Sequence, residues 1–364
     1  NTRRTMDTYW SQAPALTPCF VMTAYQVPKY FALYAKTGEP RPFDIGRIDL
    51  LIVDEAGQVD ASLGAAAFAL AKRALVVGDV QQLAPVWGID PESDRVMGES
   101  FGFGSDWDTL ERRGLTASDH SSVMMAAAGA SRWSYGKDDD EGLFLAEHFR
   151  CRSEIIEYCN ELLYKGQLVP SRPSAGYRLE GLVEHPFLFR EVPGSEDRRQ
   201  GSSRVNPTEA EAIAAWLDEH WGRFCEAYGA AGDPEKEKGV FGVVTPFAAQ
   251  ARVIRQTLGR VLGPDRAKLV TVGTAHTLQG AERSIVLFSS VYGDNSGQAS
   301  FIDNTLELMN VAVSRAKDLF IVFGAKTRWN DGGPVFRLVR RMAVKDAPAG
   351  QPAVTHDDGQ VAAP

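Results

Sequence analysis

The stretch Ile48-Asp49-Leu50-Leu51-Ile52-Val53-Asp54-Glu55-Ala56-Gly57-Gln58 is an apolar run of strand length that stops on two adjacent carboxylates. Near-continuous Leu, Ile and Val, without the alternation of a half-solvated strand, is the pattern of a parallel strand covered on both faces. Sheets of that kind gather ligands beyond the carboxyl ends of their strands, where Asp54 and Glu55 fall. A second run, Ala74-Leu75-Val76-Val77, ends in the same way on Gly78-Asp79, 25 positions after Asp54. An Ala-rich helical stretch at 63–70 lies between them, so the two runs form one βαβ unit of an α/β fold. Paired carboxylates at that place suit phosphate chemistry, because one can hold Mg²⁺ while the next polarises an attacking water. A buried strand followed by a solvated acidic turn is the plainer reading of these residues taken alone.

Upstream, residues 17–24 predict a short apolar strand, and Tyr25, Tyr30, Phe31 and Tyr34 read as core aromatics rather than a base-stacking platform. The pattern is weak from 87 to 141, with a helix expected near 106–113 and a small-residue stretch at 124–130. It closes on the acidic run Lys137-Asp138-Asp139-Asp140-Glu141, read as a solvated hinge between domains. A second α/β pattern begins with a strand at Leu143-Phe144-Leu145-Ala146 and a helix at 154–164 with Ser153 as its N-cap. A polar, Arg-containing loop at 194–204 leads to Asn206-Pro207-Thr208-Glu209, where an Asn N-cap, Pro at N1 and Glu at N3 start a helix. Strands at 240–244, 269–272, 284–289 and 319–323 alternate with helices at 247–262 and 305–316, which predicts a second parallel sheet. The chain therefore divides into domains at 1–142 and 143–345, and the Pro-, Ala-, Gly- and Asp-rich stretch 346–364 reads as a disordered tail.

A formal charge of -8 argues against a globally basic nucleic-acid binder, though a local basic groove is compatible with an acidic chain. Cys19, Cys151, Cys159 and Cys225 form no C-x-x-C pair and no metal-ligand spacing with the histidines. Free thiols in a reducing, cytoplasmic setting follow. No apolar stretch approaches the roughly 18 residues of a membrane span.

Taken in order, six segments carry a resemblance. They are Asp54-Glu55-Ala56-Gly57-Gln58, Gly78-Asp79-Val80-Gln81-Gln82-Leu83-Ala84-Pro85, Glu147-His148-Phe149-Arg150-Cys151, Val244-Thr245-Pro246-Phe247, Thr274-Ala275-His276-Thr277-Leu278-Gln279-Gly280-Ala281-Glu282 and Asn310-Val311-Ala312-Val313-Ser314-Arg315-Ala316-Lys317. They resemble motifs II, III, IV, IVa, V and VI of superfamily 1 helicases, in the 5′-to-3′ branch (1B) that includes the nonsense-mediated-decay helicase and the Okazaki-fragment nuclease-helicase. Any one of these segments is a weak signal, and six in order at suitable spacings are not.

The resemblance implies two RecA-like parallel-sheet domains, ATP and Mg²⁺ as cofactors, and single-stranded DNA or RNA as partner. It implies that Asp54 coordinates Mg²⁺, that Glu55 is general base on the hydrolytic water, and that Gln82 senses the γ-phosphate. Arg150 and Arg315 match two arginine fingers, each worth roughly 10³ to 10⁵ in rate because guanidinium stabilises charge on the transferring phosphoryl oxygens. Gly280 and Glu282 match positions at the nucleotide. Thr245, Thr274 and His276 match positions that approach the nucleic-acid backbone. Phe149 stands where many relatives carry Tyr, and Ala84 where many carry Pro.

The phosphate-cradling loop G-x-x-x-x-G-K-[S/T] is absent from the sequence, and 53 residues precede Asp54. The expectation is a piece whose first domain is incomplete at its N-terminus, inactive alone, with a degenerate paralogue as the alternative. Two further readings stay open: a non-enzymatic nucleic-acid-binding scaffold, and a protein-remodelling ATPase, which motif V disfavours.

Overall fold

The structure is a computed structural model that describes residues 2–119, 121–135, 140–173, 175–278, 280–297 and 300–346. It falls into two compact units, the first ending at Leu145 and the second beginning at Ala146.

The first unit opens with helix α1 (Arg3–Leu16), whose N-cap Thr2 accepts a hydrogen bond from the Thr5 amide. Residues 17–24, expected as a strand, are irregular, and Val21 is 95% exposed. Strand β1 (Leu51–Val53), helix α2 (Ala61–Ala69) and strand β2 (Ala74–Val76) make the expected βαβ unit, with Leu51 opposite Ala74 and Val53 opposite Val76 in parallel register. Asp60 caps α2 by accepting from the Leu63 amide at 2.8 Å. Helix α3 (Val123–Gly129) packs its Val123 against Gly64 of α2, where an added Cβ would meet the valine methyl at 2.1 Å.

Burial on both faces, expected for β1 and β2, is not what the structure shows. Leu51 packs on a small cluster of Val27, Phe31, Ala67 and Leu70. The alternate residues point away from it, and Ile52 and Leu75 are 57% and 52% exposed. The acidic run expected as a hinge is in part a ladder, since Asp140–Glu141 pairs antiparallel with Ser134–Tyr135. Lys137, Asp138 and Asp139 lie outside the described residues.

No strand forms at 143–146, where Leu143 and Leu145 are exposed. The ladder starts one step later, with β3 (Glu147–His148) parallel to β4 (Val169–Pro170). Helix α4 (Ser153–Leu162) lies between them in sequence, and its N-cap is Arg152, not Ser153. The Arg152 amide is fixed by the Lys317 carbonyl at 3.0 Å, while the Ser153 hydroxyl turns to the Glu154 carboxylate at 2.9 Å.

The main sheet comprises β5 (Phe187–Glu191), β6 (Phe241–Val244), β7 (Thr271–Gly273), β8 (Arg283–Ser289), β9 (Ala316–Gly324) and β10 (Val344–Asp346). Its spatial order is β7-β6-β8-β9-β5-β10 and every pairing is parallel. The connections carry helices α5 (Pro207–Ala227), α6 (Ala248–Val261), α7 (Leu306–Ser314) and α8 (Pro334–Met342). The stretch 194–204, expected as a loop, holds an antiparallel hairpin of Arg198–Gln200 with Ser203–Val205. Strand β10 runs to Asp346, and residues 347–364, expected as a disordered tail, lie outside the described residues.

Both faces of this sheet are covered, which is why its strands read as unbroken apolar runs. Leu319, Ile321 and Phe323 share a core with Leu217, Trp221 and Phe224 of α5 and Ile254 and Leu258 of α6. On the other face Phe187 sits edge-on to Tyr158 of α4 at 5.3 Å and to Phe320 at 5.5 Å. Each such buried Leu or Phe contributes about 1.5–3 kcal/mol.

The start of α5 shows what its N3 glutamate is for. Asn206 accepts from the Glu209 amide at 3.1 Å as the expected cap. The Glu209 carboxylate instead accepts from the hydroxyls of Ser289 and Ser290 and from the Val291 amide, at 2.6, 2.9 and 2.8 Å. It thereby ties α5 to the carboxyl end of β8, and it holds Val291 at φ 72°, a left-handed conformation costly for a β-branched residue. Complete burial pushes the Glu209 carboxyl up to about 7, against the pull of those three donors.

Candidate active site

In the first unit the carboxyl ends of β1 and β2 lie side by side. The pairing continues past them through Val77 N–H to Val53 O at 2.8 Å and Ala56 N–H to Val77 O at 2.9 Å. Both turns that follow are tight. A Cβ on Gly57 would lie 2.5 Å from the Asp79 carbonyl, and one on Gly78 would lie 2.8 Å from the Ala56 and Gly57 nitrogens. Between them Glu55 is left-handed, at φ 53° and ψ 39°, strain of a kind that a packed surrounding must impose on a non-glycine residue.

Asp54 and Glu55 are exposed at this end. The Glu55 carboxylate accepts from the Gln58 amide nitrogen at 3.0 Å, and Asp79 accepts from the Gln82 amide nitrogen at 3.0 Å. The buried Oε1 of Gln82 has no hydrogen-bond partner among the described residues. Among the described residues no three His, Cys, Asp or Glu side chains come together as a metal site, whereas Mg²⁺ on a phosphate chain is commonly held by one or two carboxylates, with water and phosphate oxygens supplying the rest.

In the second unit the groups gather at the amino ends of β8 and β9. Glu282 directly precedes β8, and the pairing of Arg283 with Ala316 sets it beside Arg315 and Lys317. Arg150 follows β3 and enters from the other side. Its Nε lies 3.1 Å from Glu282 Oε2, while Lys317 Nζ pairs with Glu282 Oε1. Arg150, Arg172, Glu282, Lys317 and Phe149 line an open pocket of about 400 Å³.

Arg172 holds the pocket floor together by donating to the carbonyls of Arg150, at 2.9 Å, and Lys317, and to the Asp318 carboxylate at 2.6 Å. Arg315, the other expected finger, is 3% exposed and donates to the Val311 carbonyl at 3.3 Å and the Ser314 hydroxyl at 3.4 Å. Gly280 is exposed at φ 75°, with open space where a side chain would be, and Gln279 lies outside the described residues.

Electrostatics follow this layout. The Lys317 ammonium, helped by the charges of Arg150 and Arg315, holds the Glu282 carboxyl below the usual range. Burial, with the Arg150 charge behind it, lowers His148 to about 4. His148 Nε2 is thus a neutral acceptor for the Cys151 amide at 3.0 Å, which shapes the turn that carries Arg150. Burial also raises the Cys151 thiol to about 12, so this cysteine is not a nucleophile.

Thr245, Thr274 and His276 stand at the opposite end of the same sheet, after the carboxyl ends of β6 and β7. The Thr245 amide donates to the Gly273 carbonyl at 3.1 Å, and its hydroxyl is buried without a hydrogen-bond partner among the described residues. Thr274 shares a hydrogen bond with Thr277 at 3.2 Å, and His276 is exposed on the short helix Ala275–Leu278. The sheet therefore separates the two sets of residues: Arg150, Glu282 and Arg315 at amino ends, the threonines and histidine at carboxyl ends.

Residues 132–327, more than half of the chain, match the family described as AAA domain. The chain belongs to that family and is a superfamily 1 helicase relative. It is 28% identical over 193 residues to "Probable helicase MAGATAMA 3" of Arabidopsis thaliana, covering 50% of this chain and 22% of that protein. Over 324 residues it is 25% identical to "DNA replication ATP-dependent helicase/nuclease DNA2" of Homo sapiens, covering 81% and 26%. Over 185 residues it is 30% identical to "5'-3' DNA helicase ZGRF1" of Mus musculus, covering 50% and 9%. The chain thus spans about a quarter or less of the length of these relatives. No helix among the described residues of this helicase-family chain is long and apolar enough to cross a membrane.

Two pocket residues were not singled out in the sequence. Lys317 lies within the last motif, and its nearness to Glu282 follows only from the β8–β9 register. Arg172 carries no motif, and nothing in its neighbourhood signals a role.

Proposed function

We propose that this chain is the portion of an ATP-driven, nucleic-acid-stimulated helicase that carries the hydrolytic carboxylates and the arginine fingers. The observation that supports the reading best is the meeting of Arg150, Glu282 and Lys317 in one pocket. They come from three motifs up to 167 positions apart (317 − 150), and they form a phosphate-sized patch of exposed cations around a single carboxylate.

On this reading Asp54 would hold Mg²⁺, which when bound supplies positive charge to the phosphates. Glu55 takes the proton of the attacking water, and its hydrogen bond from Gln58 orients the carboxylate for that. Gln82, tethered through Asp79, offers its unpaired Oε1 toward the same chemistry. Arg150, and Arg315 once it leaves its own helix, stabilise charge on the transferring phosphoryl group. Thr274 and His276, with Thr245 beneath them, approach the backbone of a DNA or RNA single strand, and translocation runs 5′ to 3′ in a cytoplasmic setting. The loop for the β and γ phosphates comes from a segment outside these residues. The bare apolar faces of Ile52, Leu75 and Val77 support this, because helices packed on that side of a larger sheet would cover them.

The test is Glu55→Gln in a protein that joins this chain to its phosphate loop. The amide still accepts hydrogen bonds but takes no proton, so nucleotide affinity persists while strand-stimulated phosphate release falls about 10²- to 10⁴-fold. Equal rates for variant and parent would assign the base elsewhere.

A further inference from the structure

We propose that Lys317 is a further phosphate-contacting residue of this pocket, and that Glu282 is the internal anion which holds Arg150 and Lys317 until a phosphate chain replaces it. The proposal deepens the nucleotide reading above and takes from it only that phosphate is the ligand class.

The first support is a contrast within one motif. The Arg315 side chain is turned back onto α7, whereas Lys317 lines the pocket with its side chain 37% exposed. The second is the way Glu282 is used. Each carboxylate oxygen faces one cation, Oε2 toward Arg150 and Oε1 toward Lys317, so the carboxylate occupies the place where two oxygens of a phosphate would sit. The third is rigidity. Arg172 bonds the carbonyls of both Arg150 and Lys317, so the backbone positions from which the two cations reach the pocket keep their spacing when the anion between them changes.

The exchange is also easy. Both ion pairs are open to solvent on one side, at 37–43% exposure, and pairs that water reaches contribute little to stability, so a polyanion of higher charge can displace the carboxylate. The neighbouring cations already hold Glu282 in its charged form, so it competes as an anion across the neutral pH range.

The probe is inorganic tripolyphosphate, titrated calorimetrically into the 364-residue chain at low salt. Glu282→Gln removes the competing charge at nearly constant shape, and binding should tighten about tenfold or more. Adding Lys317→Ala to that variant should cancel the gain, while Lys317→Arg in the same background should keep it. Lys268→Ala, at an exposed lysine paired with Asp265, controls for general charge loss. No tightening in Glu282→Gln, or a Lys317→Ala effect no larger than that of Lys268→Ala, would overturn the proposal.

Tripolyphosphate carries no nucleoside and is bound without turnover, so the two readings fail separately. Expected binding here with no hydrolysis in the longer protein would sustain the proposal and sink the ATPase reading. Normal hydrolysis in the longer protein with Lys317→Ala unchanged in rate and nucleotide affinity would do the reverse.

Discussion

Arg172 spans 145 positions of sequence to fix the backbone of Lys317, and the same guanidinium bonds the buried carboxylate of Asp318. Asp318 also accepts from the Tyr228 hydroxyl at 2.8 Å. Arg172→Ala would leave that carboxylate buried without its cation, a loss of about 3–5 kcal/mol for a broken buried pair. Denaturant titration should show it, and a change under about 1 kcal/mol would mean that Asp318 relaxes to water. None of this is legible in the sequence, where Arg172 stands between Ser171 and Pro173 in a polar stretch. Asp54, Glu55 and Arg150 stand out in the sequence as candidates because their residue types fall at motif spacing. The inward turn of Arg315 was not, because a motif gives a residue's place on the backbone and not the rotamer that packing selects.

At the scale of elements, the junction of α5 with β8 makes a pH-dependent contribution with a definite sign. Burial raises the Glu209 carboxyl from 4.5 to about 7, so between those values the folded chain binds more protons than the unfolded one. Stability from this group is therefore fully present below about 4.5 and is lost as pH rises through about 7. The stability difference between the parent chain and Glu209→Gln, followed by chemical denaturation across that window, should shift against the parent as pH rises. A difference that stays flat would place the Glu209 titration outside the window.

The helix start at Pro207 was readable from Asn206, Pro207 and Glu209, because capping is local chemistry. The partner of the Glu209 carboxylate was not, since Ser289 lies 80 positions away. Strand expectations failed at 17–24 and 143–146, where apolar side chains such as Val21, Leu143 and Leu145 stay exposed. They succeeded where helices cover both faces, as in β8 and β9.

For the whole molecule, the α/β class and the parallel sheet of the second unit followed from alternating strands and helices, and the structure shows both. The exposed faces of β1 and β2 could not be foreseen, because an apolar run records what a strand is suited to pack against and not what packs on it here. On the proposed reading, labour divides along one sheet: Arg150, Glu282 and Arg315 would handle nucleotide at amino ends, and Thr245, Thr274 and His276 would handle the strand at carboxyl ends. Arg150→Ala, in a protein that joins this chain to its phosphate loop, tests it most directly when phosphate release and nucleotide-free single-strand binding are measured on one preparation. Stimulated hydrolysis should fall about 10³- to 10⁵-fold while strand affinity is unchanged. Severely weakened strand binding, with turnover at saturating strand intact, would make Arg150 a backbone contact of the nucleic acid and rule that division out.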